Sequence, residues 1–308
     1  MSYDQLLKDL LRAFFREFVE LFFPQVAARL DFSRLTFLDK ELFTDVPEGR
    51  RREPDLVAQV YSLAGDPELI LIHTELQRQR RQEFPYRMFE YYALLRVRHK
   101  VPVFPVAVYL SGGAGGIGQE VYRETLFGTE ILTFRFGCIG LPDLPAAEYV
   151  DQPNPLAPAL AALMDRRDQN AVEIKLASLK NIAHSHVDEA RTGLLLNFVE
   201  TYLQLGAEEQ ARLNRLLEEE EHKEAKAMQL TYEEKLTAKI TEKVTAEVTA
   251  DVTLSVKRGL LLRLLREKFG DLPEAARRRV ESAESETALD DWLQRLVKAT
   301  SLAELGLA

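Results

Sequence analysis

The sequence predicts an α/β domain, then a helical extension, then a small all-helical module. Three observations predict it. Between Leu56 and Phe136, short apolar runs bounded by turn residues alternate with a segment of helical period. Beyond Pro158 the periodicity is helical almost throughout, and from Lys257 onward short amphipathic segments follow one another. The domain boundaries read as 1–205 for the α/β part, 206–255 for a helical, low-complexity connector and 256–308 for the terminal module.

The elements follow in order. Residues 3–23 place apolar side chains at the i, i+3, i+4 spacing of an amphipathic helix stopped by Pro24; acids and bases mix on its polar face, which favours core packing over a membrane surface. The run from Leu35 to Phe43 leads to a turn-rich basic stretch, PEGRRREPD. Leu56–Tyr61 alternates as a strand, SLAGDPE is a turn, and ELILIHTELQ (68–77) is a second strand, so the three make a hairpin. Pro85 suits the first turn of a helix reaching about Arg98. VPVFPVAVYL reads as a strand whose prolines, Pro102 and Pro105, point to a strand end or a sheet edge. SGGAGGIG is a loop, and Glu130–Phe136 a further strand. After a proline-rich passage, helical segments are expected near 156–166, 168–184, 187–205 and 207–229. The repeat KLTAKITEKVTAEVTADVTLSV fits both a helix and strict strand alternation. Its length, several times that of an ordinary strand, favours a long exposed helix or connector.

Composition narrows the function classes. With 40 Lys+Arg against 49 Asp+Glu the net charge is −9, so no global positive field advertises a nucleic-acid partner, although a local basic stripe remains compatible. A single cysteine, Cys138, rules out an internal disulfide, fits a reducing cytoplasm and reads as a small packed hydrophobe. No secretory signal and no apolar run of membrane-spanning length is present, so the expectation is a soluble, cytoplasmic protein.

Chemistry concentrates at the end of ELILIHTELQ. Glu75 and Gln77 stand two residues apart and share a strand face with His73, which reads as a core histidine. A turn centred on Gly65 would put Asp55 directly opposite Glu75. Two facing carboxylates repel unless a hard divalent cation such as Mg²⁺ or Mn²⁺ lies between them. A two-residue Gly65-Asp66 loop would instead put Asp55 opposite Leu76, and a solvated hairpin end is as good a reading of the spacing. Gly113-Ala114-Gly115-Gly116-Ile117-Gly118 matches the dinucleotide fingerprint, but strand and turn follow it where a helix is required, so it reads as a surface loop. His184 and His186 diverge on a helix and make a poor ligand pair.

The runs RREPDLVAQVYSLAGDPELILIHTELQ, FPYRMFEYYALL and VPVFPVAVYL resemble the Rpn family of recombination-promoting nucleases, also labelled transposases, within the PD-(D/E)XK nuclease superfamily. The resemblance covers roughly 3–205. It implies a mixed sheet flanked by helices, with Asp55 and Glu75 as metal-binding carboxylates and Gln77 at the position usually held by lysine. Arg87 and Tyr91, one helical turn apart, would face the site as substrate-binding residues. Glu17 and Glu41 are candidates for an additional acid. The implied activity is Mg²⁺- or Mn²⁺-dependent DNA endonuclease cleavage linked to recombination or mobile elements. The alternative is a catalytically weak nucleic-acid-binding or assembly protein. Arg50, Arg51, Arg52, Arg78, Arg80 and Arg81 would meet DNA phosphates. The segment from about Val256 to Leu305 resembles a helical domain of unknown function appended to such nucleases, and self-association through the helical C-terminal half is a further expectation.

Overall fold

A computed structural model describes residues 3–38, 56–75, 83–113, 115–167 and 170–307. The chain divides into two compact units, Met1–Tyr232 and Glu233–Ala308. The first unit therefore runs past the expected boundary at 205. The reason is visible in helix α9 (Ala207–Leu217), whose Leu213 and Leu217 are buried in the same core as the helices before it.

The N-terminal amphipathic run folds as α1 (Tyr3–Ala13) and α2 (Phe15–Phe22), kinked at Phe14, and Pro24 opens the one-turn helix α3 (Pro24–Ala27). Leu6, Leu7, Leu10, Leu11, Phe14, Phe15 and Phe18 are buried, so the apolar stripe faces the core. Among the described residues six strands follow, β1 (Leu30–Phe37), β2 (Leu56–Ser62), β3 (Pro67–Glu75), β4 (Val103–Tyr109), β5 (Ile117–Leu126) and β6 (Thr129–Gly140), with α4 (Phe84–His99) crossing between β3 and β4. They form one mixed sheet in the order β1-β2-β3-β4-β6-β5. β1, β2 and β3 form an antiparallel meander, β3-β4 and β4-β6 are parallel, and β5 returns antiparallel on β6. The chain is thus mixed α/β, as the strand and helix periods imply.

Helices cover both faces. Ala58, Val60, Ile70, Val106, Val108 and Ile139 pack into a core shared with α1, α2, the one-turn helices α5 (Ala147–Val150) and α6 (Ala157–Leu160), α7 (Ala171–His184) and α8 (Glu189–Tyr202). Val57, Ala107, Tyr109, Phe134, Phe136 and Cys138 pack on the other face against Phe84, Met88, Tyr91 and Leu95 of α4. Alternation along each strand divides its residues between these two layers. Cys138 is buried within the second layer, as its reading as a small hydrophobe implies.

Two expectations are corrected here. β4 is a central strand although it contains Pro105. Its ladder to β6 begins only at Val106, so at Pro105 one flank has no pairing for the missing N–H to break. The hairpin turn is centred on Ala64, with Leu56 opposite Ile72 and Tyr61 opposite Pro67. Gly65 N–H donates to the Ser62 carbonyl at 2.8 Å, Ser62 N–H donates to the Asp66 carbonyl at 2.8 Å, and Gly65 adopts φ +95°. This is a three-residue loop in which a type I turn is followed by a left-handed glycine, and it shifts the ladder by two residues from a Gly65-centred turn.

The segment expected as one helix over 207–229 breaks after α9, turns through a 3₁₀ step at Glu220–His222 and restarts as α10 (Lys223–Phe269). α10 is 47 residues long and includes the threonine-rich repeat, which is helical. In the second unit α10 ends at Gly270 (φ +78°), and α11 (Glu274–Glu281) and α12 (Glu286–Leu296) enclose Leu261, Leu265, Val280 and Leu289. Among the described residues no helix is long and apolar enough to cross a membrane.

Candidate functional site

Glu75 is the last residue of β3 and pairs in register with Tyr109, the last residue of β4. β3 lies between β2 and β4, and over its last three residues, His73 to Glu75, the described ladder is to β4. Asp55 and Gln77 lie outside the described residues, as do Glu41 and the six arginines 50–52, 78, 80 and 81. The direct opposition of Asp55 and Glu75 that a Gly65-centred turn would give does not follow from the observed ladder. That ladder is two residues out of step, and its last described pair is Leu56 with Ile72. A shift of two residues, unlike a slip of one, preserves which residues share a face.

The α4 layer approaches the same end of the sheet. The Phe84 ring lies 5.5 Å from that of Tyr109 and 6.2 Å from that of Phe136, so the start of α4 packs beside the last residue of β4. Arg87 follows in the first turn, partly exposed, its guanidinium carbon 5.2 Å from the Phe84 ring centre. Tyr91, one turn on, is 5% exposed and packs in the α4-facing core. Arg87 is thus at the surface of this layer, while Tyr91 supports it from within.

A carboxylate without an evident role in the sequence enters here. The Tyr109 hydroxyl donates to Glu120 Oε2 at 2.9 Å, which brings β5 to the end of β4 where Glu75 is paired. Glu120 stands opposite Phe136 in the β5-β6 ladder and so belongs to the α4-facing layer. The signal for it was the strand character of QEVYRETL. What the sequence lacked was the order in which β6 and β5 attach beyond β4. Further out, the Tyr122 hydroxyl donates to Glu124 Oε1 at 2.6 Å, and that hydrogen bond to a carboxylate pushes the phenol up to about 12.

Other sequence candidates resolve into structural roles. Glu17 pairs with Arg191 of α8, whose guanidinium stacks 4.0 Å from the Phe14 ring centre, so it joins helices on the opposite face of the sheet from α4. His184 Nδ1 lies 2.7 Å from the Lys180 carbonyl and its Nε2 lies 3.2 Å from Glu224, which ties α7 to the start of α10. The glycine-rich loop is followed by β5, not by a helix. Its Gly113 and Gly115 N–H groups donate to the Asp143 carboxylate at 2.8–3.0 Å, so a protein carboxylate already fills the anion-binding concavity of the loop. A cleft of about 490 Å³ lined by Phe22, Phe23, Phe104, Ile117, Gly118 and Gly137 lies against α2 and α3, away from the α4 layer. No family model, no curated protein and no solved structure matches the chain.

Proposed function

We propose that the chain is a divalent-metal-dependent DNA endonuclease of the Rpn type within the PD-(D/E)XK superfamily. Its resemblance in the segments around Asp55, Glu75, Arg87 and Tyr91 suggests the family. The observation that carries the reading is the position of Glu75 at the carboxyl end of a central strand, in register with Tyr109, whose hydroxyl donates to Glu120 and whose ring packs on Phe84 of α4. A mixed sheet with helices on both faces is the architecture the resemblance implies.

In this reading the carboxylates of Asp55 and Glu75 would hold Mg²⁺ or Mn²⁺, for which an all-oxygen donor set is suited. When bound, the ion would supply Lewis-acid chemistry at the phosphate. The chain's own groups do the rest. Gln77 orients the attacking water through its amide, without the charge that a lysine would add. Arg87 pairs with a phosphate oxygen of the DNA, and Tyr91 fixes the helix that carries it. Self-association through the helical C-terminal half belongs to the same proposal. Val252, Val256 and Leu260 of α10 are exposed at four-residue spacing, a short stripe suited to a second helix.

Incubating the protein with supercoiled plasmid and Mg²⁺ or Mn²⁺ tests the activity. Metal-dependent nicking that disappears in both Asp55→Ala and Glu75→Ala is the expected result. Retention of DNA that falls steeply with salt, without any nicking, would instead identify a binding protein.

A further inference from the structure

The β5-β6 hairpin ends in an apolar tip that its own turn disfavours. Leu126 pairs with Thr129, so Phe127 and Gly128 make a two-residue turn, with φ +49° and +77°. A type I′ turn of this kind favours asparagine or glycine first, and a left-handed backbone is strained for a bulky side chain. Packing returns nothing to Phe127, which is 97% exposed. Leu126 is exposed beside it, and so is Ile131, the residue that the ladder skips between Glu130 and Leu132. The tip is a strained, solvent-facing knob.

The cleft against α2 and α3 is its chemical complement. Gly137 lets the Phe23 ring lie close to the backbone of β6, since a Cβ there would stand 3.3 Å from that ring. Phe104 meets Phe23 edge to face at 5.2 Å between centroids. With Phe22, Ile117 and Gln119 these residues wall a space of about 490 Å³. None of the ten lining residues is charged, in a chain of which 29% is charged. An uncharged cleft walled by aromatic rings selects an uncharged, apolar occupant.

We propose that the Phe127 tip of one copy of this chain seats in the cleft of a second copy. A copy cannot fill its own cleft, because Phe127 lies eight residues along the strand from Gln119, about 27 Å at ~3.4 Å per residue. The match in charge is direct, since Leu126, Phe127, Gly128 and Thr129 are all neutral. The rings of Phe22, Phe23 and Phe104 offer edges and faces to the incoming ring. Knob and cleft are different surfaces, so each added copy leaves one of each free, and growth continues to a ring or an open chain. The tip buries only a few hundred Å², below the ~1,200 Å² of a stable complex, so the contact is weak and forms at high protein concentration. It is distinct from the α10 stripe and does not depend on the nuclease reading.

Static light scattering of the full chain from about 10 to about 500 µM reads the association. The mass should rise with concentration and change little between low and high salt, as an uncharged contact requires. F127N, which suits the turn better and so preserves the fold, should lower the association constant at least ~10-fold, whereas F127W should retain it. Q119W places an indole opposite Gly137 on an exposed edge strand, which fills the cleft, and should lower association equally. Mixing F127N with Q119W should restore association as pairs, because one variant keeps the cleft and the other keeps the knob. A wild-type mass that does not rise, association unchanged in F127N or Q119W, or no recovery on mixing would overturn the proposal; association surviving both variants would belong to the α10 stripe.

Discussion

Replacing Lys175 tests how the helical half of the first unit is held. The Lys175 side chain is 2% exposed, and its Nζ donates to Glu200 Oε2 at 2.7 Å between α7 and α8. Glu200 is 33% exposed, yet its second oxygen is buried and unpartnered, so the ammonium is its main compensation. Removing one member of a buried pair costs about 3–5 kcal/mol because the other charge is stranded. Solvent reaches part of Glu200, so for Lys175→Met a loss of roughly 2–3 kcal/mol is expected. Replacing both, as Lys175→Met with Glu200→Met, should recover most of that loss, because no charge is then left in the interior. Urea unfolding followed by far-UV circular dichroism measures the first unit, which holds most of the helices. Trp292, the only tryptophan, lies in the second unit, so its fluorescence transition is an internal control that should not move. A single mutant within about 0.5 kcal/mol of wild type, or a double mutant no more stable than Lys175→Met alone, would refute the reasoning.

Further outcomes follow from other parts of the sheet. Glu120→Gln should lower metal-dependent nicking about tenfold while leaving the urea midpoint nearly unchanged, and Tyr109→Phe should follow it in direction; equal nicking by Glu120→Gln and wild type would detach Glu120 from the site. Phe127 is 97% exposed at the β5-β6 turn with φ +49°, beside Gly128 at φ +77°. Two left-handed residues make a type I′ turn, so Phe127→Asn should stabilise the protein by up to ~1 kcal/mol in urea unfolding. The Tyr122 phenol, held near 12 by Glu124, should appear as a late transition in the difference between wild-type and Tyr122→Phe ultraviolet titrations, and should fall back toward 10 in Glu124→Gln. Because the folded value lies above the ordinary one, the contribution to stability is fully present below pH 10 and is lost as pH rises through about 12.

What the sequence made legible was whatever depends on periodicity within one segment. β2, β3, α4, α7 and α8 were all readable, because each buries a face whose spacing is written in a run of neighbouring residues. β1 was not. LDFSRLTF is an edge strand with only Leu30 fully buried, so it carries too little apolar alternation to announce itself. Pro105 misled for a related reason: proline forbids a ladder hydrogen bond at one position, and only the partner's starting point decides whether that bond was needed. In α10 the strand reading failed because an isolated ribbon of that length leaves its backbone unpaired, while a helix pairs the backbone within itself.

The candidate site divides along the same line. Glu75 could be nominated from its own strand, since the face it shares with neighbouring residues is a local property. Its surroundings could not, because they depend on where a turn is centred and on which strand attaches third. The two-residue displacement of the β2-β3 ladder came from the left-handed Gly65, a single backbone angle. The arrival of Glu120 at the end of β4 came from β6 pairing parallel to β4 and carrying β5 with it. Of the additional-acid candidates, Glu17 is committed to Arg191 on the other face of the sheet and Glu41 lies outside the described residues, whereas Glu120 shares the α4 layer with the turn that carries Arg87. In the proposed metal centre glutamine at position 77 would add no charge, so the remaining acids would matter more, and Glu120→Gln is the substitution that separates such a centre from a solvated strand end.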